Sequence, residues 1–228
     1  MTLRLPALLP AMLLAALSAP PPALAEEFDG VVAPDLLSDE DFFRLATCGA
    51  RPGDACAGPV IRWPRDEVTL SLLPAEVPPP AGFTAALDKA LAAAIAEINA
   101  VGAGMSIRRV DGARADIRVM PTALVEGTVM DDDPGFSAAG VMGVGYMSYW
   151  WNDRSQITAA TVLISTAITD QDLQSVVLEE LFQTLGPRFD IEGAAYEGVS
   201  ILSQSSNATE VIEGQDARLL RWLYPLRQ

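Results

Sequence analysis

Between residues 84 and 100 the apolar side chains Leu87, Leu91, Ala94, Ile95 and Ile98 recur at helical spacing in an alanine-rich run, and Gly102 and Gly104 end it. The spacing predicts a long helix there. A second helix opens at Thr169 or Asp170, carries Leu173, Val177, Leu178, Leu181 and Leu185, and stops at Gly186-Pro187. A third, shorter one runs from about residue 215 to 223. Residues 60–63, 68–73, 105–110, 115–120 and 157–165 read as strands, the fourth with alternating apolar positions and the last rich in β-branched side chains. Residues 121–145 are glycine-rich and irregular, and 188–208 form a loop. The order strand, helix, three strands, helix, loop, helix predicts an α+β fold: one mixed β-sheet, two long helices and a C-terminal helix.

The front of the chain has a different character. Residues 1–25 have the form of a secretory signal peptide, with Arg4 at the start, an apolar run from Leu5 to Leu17, and Ala23-Leu24-Ala25 as the cleavage pattern. The rival reading, a membrane anchor, is opposed by the short run and by Pro6, Pro10 and Pro20-Pro21-Pro22 within it. The expected location is therefore periplasmic or secreted, with no membrane span after signal removal. Residues 26–58 form an acidic, turn-rich lead-in, within which Ser38 is placed to cap a short amphipathic helix over 38–45. Cys48 and Cys56 flank Pro52-Gly53; in an exported protein such a pair favours a disulfide over two-thiolate metal ligation, and the spacing is not that of a C-x-x-C redox pair.

Charge and composition narrow the chemistry. With 30 Asp and Glu against 15 Lys and Arg, the net charge of −15 makes nucleic acid and anionic lipid poor partners. The chain of 228 residues contains no histidine. That removes Ser-His and Cys-His nucleophiles, histidine general bases and the common catalytic zinc sites. Lys89 is the sole lysine and lies on a helix face. Carboxylates, amides, hydroxyls, backbone dipoles and an oxygen-ligated metal remain.

One helix face concentrates such groups. At about 100° per residue, Gln183 falls about 40° and Glu180 about 100° around the axis from Glu179, while Leu178, Leu181, Phe182 and Leu185 cover the other side. Adjacent acids on one face repel unless they share a proton, hold a cation or stand in water. Charged helix faces are most often simply solvated. Tyr149, Trp150 and Trp151 belong to a dense aromatic run that suits either stacking on a sugar or peptide, or alternating burial along a strand. Asp131-Asp132-Asp133 lacks the spaced acids of a calcium loop, and Asn207-Ala208-Thr209 has the form of a glycosylation sequon.

The segment Glu179-Glu180-Leu181-Phe182-Gln183-Thr184-Leu185-Gly186 resembles the zincin helix H-E-x-x-H-x-x-G with both histidines replaced. Residues 115–119 (ADIRV) resemble the A-D-I strand of matrix-type metalloproteases, Ser200-Ile201-Leu202 their Met-turn, and residues 214–224 their closing helix. The chain is also similar to the DUF2927 family of exported bacterial proteins, with E-E-x-x-Q, S-I and D…LLR-L-LYP elements, departing from its pattern at Pro187 and Phe189. This resemblance implies a zincin-like domain over 59–228 whose second long helix floors a cleft, with Tyr149, Trp150 and Trp151 at the rim.

Two functions follow from it. In the first, the protein is an exported binding or structural module of the cell envelope on a degenerate metalloprotease-like frame, not a zinc peptidase, with no cofactor and with an envelope protein or a glycan as partner. In the second, it is a hydrolase in which Glu179, Gln183 and Asp190 hold Ca²⁺, Mg²⁺ or Mn²⁺ rather than zinc and Glu180 activates water. A metal-free acid–base pair of carboxyls is a third, less favoured form.

Overall fold

The computed structural model describes residues 30–133, 137–205 and 208–227. The signal segment and Asn207 of the sequon lie outside them. Along the chain come β1 (Val31–Val32), α1 (Asp39–Cys48), β2 (Glu67–Leu72), α2 (Phe83–Ala100), β3 (Ser106–Arg109), β4 (Ile117–Thr122), β5 (Val129–Met130), β6 (Gly140–Val141), β7 (Gly145–Trp151), β8 (Ile157–Ser165), α3 (Leu173–Gln183), β9 (Ile191–Glu192) and α4 (Gly214–Leu223).

The period of two along β4 gives the sheet its two faces. Ile117 and Val119 enter the main core, while Met120 joins Met130, Met142 and Leu163 in a smaller cluster beneath the β5–β6 hairpin. The main sheet has the order β3-β2-β4-β8-β7. Four strands are parallel, and the edge strand β7 runs antiparallel to β8. The chain is thus a mixed α+β protein. α2 buries Leu87, Leu91, Ala94 and Ile98, and α3 buries Val176, Val177, Leu178, Leu181 and Phe182 in the same core. Each such large side chain contributes roughly 1.5–3 kcal/mol by leaving water.

Two expectations are corrected. Residues 60–63 do not form a strand: Arg62 makes only an isolated bridge to Gln156, because the next amide, Trp63 N–H, donates to the Tyr224 hydroxyl at 2.9 Å. The aromatic run lies in strand β7, in keeping with its reading as strand burial. α3 starts at Leu173, because a turn closed by the Thr169 hydroxyl, which accepts from Asp172 N–H at 3.2 Å and donates to the Asp172 carboxylate at 2.7 Å, occupies the residues before it.

The end of α3 is fixed by side chains distant in sequence. The Trp63 indole donates to Thr184 O at 2.9 Å and the Tyr224 hydroxyl to Leu185 O at 2.6 Å, satisfying carbonyls the helix leaves open. Gly186 then turns the chain at φ +126°, where a Cβ would stand 2.3 Å from Ile61 O.

The lead-in belongs to the same body. Ser38 caps α1, its hydroxyl accepting from Asp41 N–H at 3.1 Å, and Cys48 and Cys56 form a disulfide. α1 packs on α4, Arg218 pairs with Asp39, and Leu37 N–H donates to the Tyr196 hydroxyl at 2.8 Å. β1 pairs in parallel with β9, with Val31 opposite Ile191. No helix among the described residues is long and apolar enough to cross a membrane.

Candidate functional site

The C-terminal half of α3 is buried except at Glu179 and Glu180, which keep part of their surface open while protein surrounds them on the remaining sides. Gln183, one turn on, is 8% exposed. Asp190 reaches the same place from beyond the Gly186-Pro187 turn. Arg188 and Phe189 N–H groups both donate to Ala46 O of α1, at 2.8 and 3.2 Å, and the Phe189 ring seats against Gly49 at the end of that helix. Pro187 and Phe189 therefore shape a turn that the lead-in clamps. The outcome is a direct contact: Gln183 Nε2 donates to Asp190 Oδ1 at 2.5 Å.

Glu180 occupies a niche made by an absent side chain. Gly145, at the start of β7, leaves its Cβ position 2.4 Å from Glu180 Oε1. Gly145→Ala is expected to displace that carboxyl and to destabilise the protein by about 1–3 kcal/mol, the usual cost of an extra methyl in a filled site. Urea melts of the single variants and of Gly145→Ala with Glu180→Ala check it. In the double variant the alanine should cost much less, and strictly additive losses would show that the two residues do not meet.

The carboxyls crowd one another in a poorly solvated place. Burial pushes Glu180 up to about 8, with the Asp190 charge adding to it. Burial likewise raises Asp190 to about 6, against the pull of the Gln183 bond. Glu179 rises well above the usual range through burial and then the charges of Asp190, Glu180 and Asp216. Near neutrality Glu180 keeps its proton and Asp190 has mostly lost its own. The site then offers a proton donor beside an acceptor, the kind of separation that divides acid and base roles between two carboxyls.

Sequence reasoning missed two residues. Gly145 gives no signal linking it to Glu180. Asp216 of α4 appears only as part of the closing-helix resemblance, yet it is 1% exposed. It accepts from the Ser200 hydroxyl at 2.8 Å and from Ile201 N–H at 3.0 Å, and burial lifts it to about 6 despite both bonds. Of the aromatic residues, Tyr149 is buried in the main core and stands edge-on to Trp151 at 5.7 Å, while Trp150 and Trp151 are half-buried.

The fit to a metal is poor in geometry. A cation would need the Gln183 amide oxygen, but the amide turns its nitrogen to Asp190, the other expected ligand. Among the described residues no three Asp, Glu, Cys or His side chains converge as a metal site.

Comparison with curated proteins returns no match. A protein family of unknown function, DUF2927, matches residues 52–227, from Pro52 to Arg227 at the end of the described chain. β1 and α1 precede the match, although they pack on β9 and α4 within it. Matched over most of its length, the chain belongs to the DUF2927 family.

Proposed function

We propose that the protein is an exported binding module of the cell envelope, built on a zincin-like frame in which carboxyl and carboxamide groups stand where a metal centre would be. The observation that carries this reading is the Gln183–Asp190 bond, which satisfies the two would-be ligands with each other. The frame is supported by the strand order with its antiparallel edge strand β7, by α3 packed over the sheet, by the buried 200–202 turn and by the closing helix α4. The site's donor–acceptor pair, Glu180 and Asp190, suits a ligand rich in hydroxyl or amide groups, as a glycan or an extended peptide is. Trp150 and Trp151 on the adjoining strand add apolar surface for it.

Elemental analysis of protein purified without chelator tests the reading. The expected result is metal-free protein whose melting temperature does not move in millimolar Ca²⁺, Mg²⁺ or Mn²⁺. Stoichiometric metal that is lost in Glu179→Ala or Gln183→Ala protein would overturn it in favour of a cation-dependent hydrolase. Binding itself is read by comparing retention of the protein and its Glu180→Gln variant on envelope glycan and on immobilised peptide. Equal retention of the two would remove the α3 face from the function.

A further inference from the structure

A second site lies away from α3. A cavity of about 490 Å³ opens between the 60–66 segment, the hairpin that joins β7 to β8, and the C-terminal tail. Four of the chain's 15 basic residues, Arg62, Arg65, Arg154 and Arg227, line it, against one acid, Asp66. None of the α3 carboxyls nor Asp190 takes part. In a chain of net charge −15 this is a local reversal of sign.

The four guanidinium groups are unequally satisfied. Arg65, itself half-exposed, pairs with the more buried Asp116 at 2.8 Å, and Arg227 pairs with Asp66 at 2.9 Å in an exposed contact that solvent screens. Among the described residues the Arg62 guanidinium donates to a neutral carbonyl, Leu223 O, at 3.0 Å and meets no carboxylate. The Arg154 guanidinium has no ion pair or hydrogen bond among the described residues. Two positive charges therefore face the cavity with no carboxylate partner among the described residues. They are also held on one frame: Arg62 N–H donates to Ser155 O at 3.3 Å, and Ile157 N–H returns to Arg62 O at 2.9 Å. Ser155 takes φ +56°, the one described non-glycine residue in the left-handed region, and so sets the hairpin that carries Arg154. Arg65 is steadied over the Trp63 ring at 5.8 Å.

We infer that this cavity binds a small multivalent oxyanion, with Arg62 and Arg154 as its principal contacts and Arg65 and Arg227 as the flanking charge. Guanidinium forks match the oxygen pairs of carboxylate and phosphate. The volume admits a small molecule. A long polyanion would meet the surrounding acidic surface and be repelled, so the ligand carries its charges within the span of the cavity.

Isothermal titration at constant ionic strength tests this on the full chain, with pyrophosphate and tricarballylate as probes. Saturable one-to-one binding of at least one probe is expected, and whichever binds identifies phosphate or carboxylate as the group recognised. Arg154→Gln should weaken it by about tenfold or more, as loss of a charge-assisted contact does. Arg62→Gln should do the same, and Arg109→Gln, outside the cavity, should change nothing. Because the Arg154 side chain has no partner to lose among the described residues, its variant decides the matter even if Arg62→Gln folds poorly. Absence of saturation up to about 10 mM of either probe, or unchanged affinity in Arg154→Gln, overturns the inference. None of these outcomes bears on the α3 site.

Discussion

Raising the pH from 5 to 8.5 is expected to lower the melting temperature by about 10 °C, opposite to the trend of proteins whose carboxylates are paired with cations. The sign follows from the direction of four shifts. Glu180 moves from 4.5 to about 8, Asp190 and Asp216 from 3.8 to about 6, and Glu179 also moves upward. In each case the folded state binds its proton more tightly than the unfolded chain. That contribution to stability is complete below pH 4 and is lost as the pH rises through 6 for the two aspartates and 8 for Glu180. One pKa unit is about 1.4 kcal/mol. Allowing for the solvent that reaches Glu180 from its open side, that residue alone contributes about 3 kcal/mol over this range. At about 2–4 °C per kcal/mol for a chain of this size, the fall is on the order of 10 °C. Thermal melts every half pH unit measure it. Glu180→Gln, which cannot ionise, should flatten the curve between pH 6.5 and 8.5. A melting temperature that holds level or rises over that interval, or an undiminished slope in the variant, would show that the carboxyls of α3 are solvated or paired after all.

The same groups show what a sequence can and cannot disclose. The helical spacing from Leu87 to Ile98 and from Leu173 to Leu181 reads directly, because the partner of each side chain is one turn away and the apolar stripe records the burial. Glu179, Glu180 and Gln183 are legible as one face for the same reason. That Asp190 joins them depends on the Gly186 turn and on Ala46, more than 130 residues earlier, accepting from Arg188 and Phe189. No local pattern encodes such a clamp. The niche at Gly145 is a missing side chain and leaves only a glycine among many. The failure at residues 60–63 has a related cause: Val60 and Ile61 have strand-forming side chains, but the Trp63 amide is captured by Tyr224, a tertiary contact that overrides propensity. The arginine cavity gathers residues 62, 65, 154 and 227 from three separate segments, and in the sequence they pass for scattered surface charge.

Asp216→Ala is expected to destabilise the protein by about 2–4 kcal/mol, the cost of leaving two buried donors without an acceptor. The Ser200 hydroxyl and Ile201 N–H both end on this carboxylate, while Leu202 N–H ends on Ser200 Oγ at 3.1 Å, so one side chain orders the whole turn. The effect does not stop there. Leu202 O accepts from Ile191 N–H at 2.7 Å, which places the residue after Asp190 and with it the carboxyl that meets Gln183. Loss of Asp216 should therefore lower the melting temperature by about 6–12 °C and also shift the Asp190 titration, which carbon-13 labelling of aspartate reads directly. Asp216→Asn separates hydrogen bonding from charge. It keeps one acceptor and carries no charge, so its cost should be smaller than that of alanine. That cost should shrink further above pH 6, where the native carboxyl must ionise against its burial. If the asparagine variant is as unstable as the alanine variant at every pH, shape rather than hydrogen bonding holds the turn. If alanine moves neither the melt nor Asp190, then α4 and the α3 carboxyls are independent and the site is not assembled through the turn.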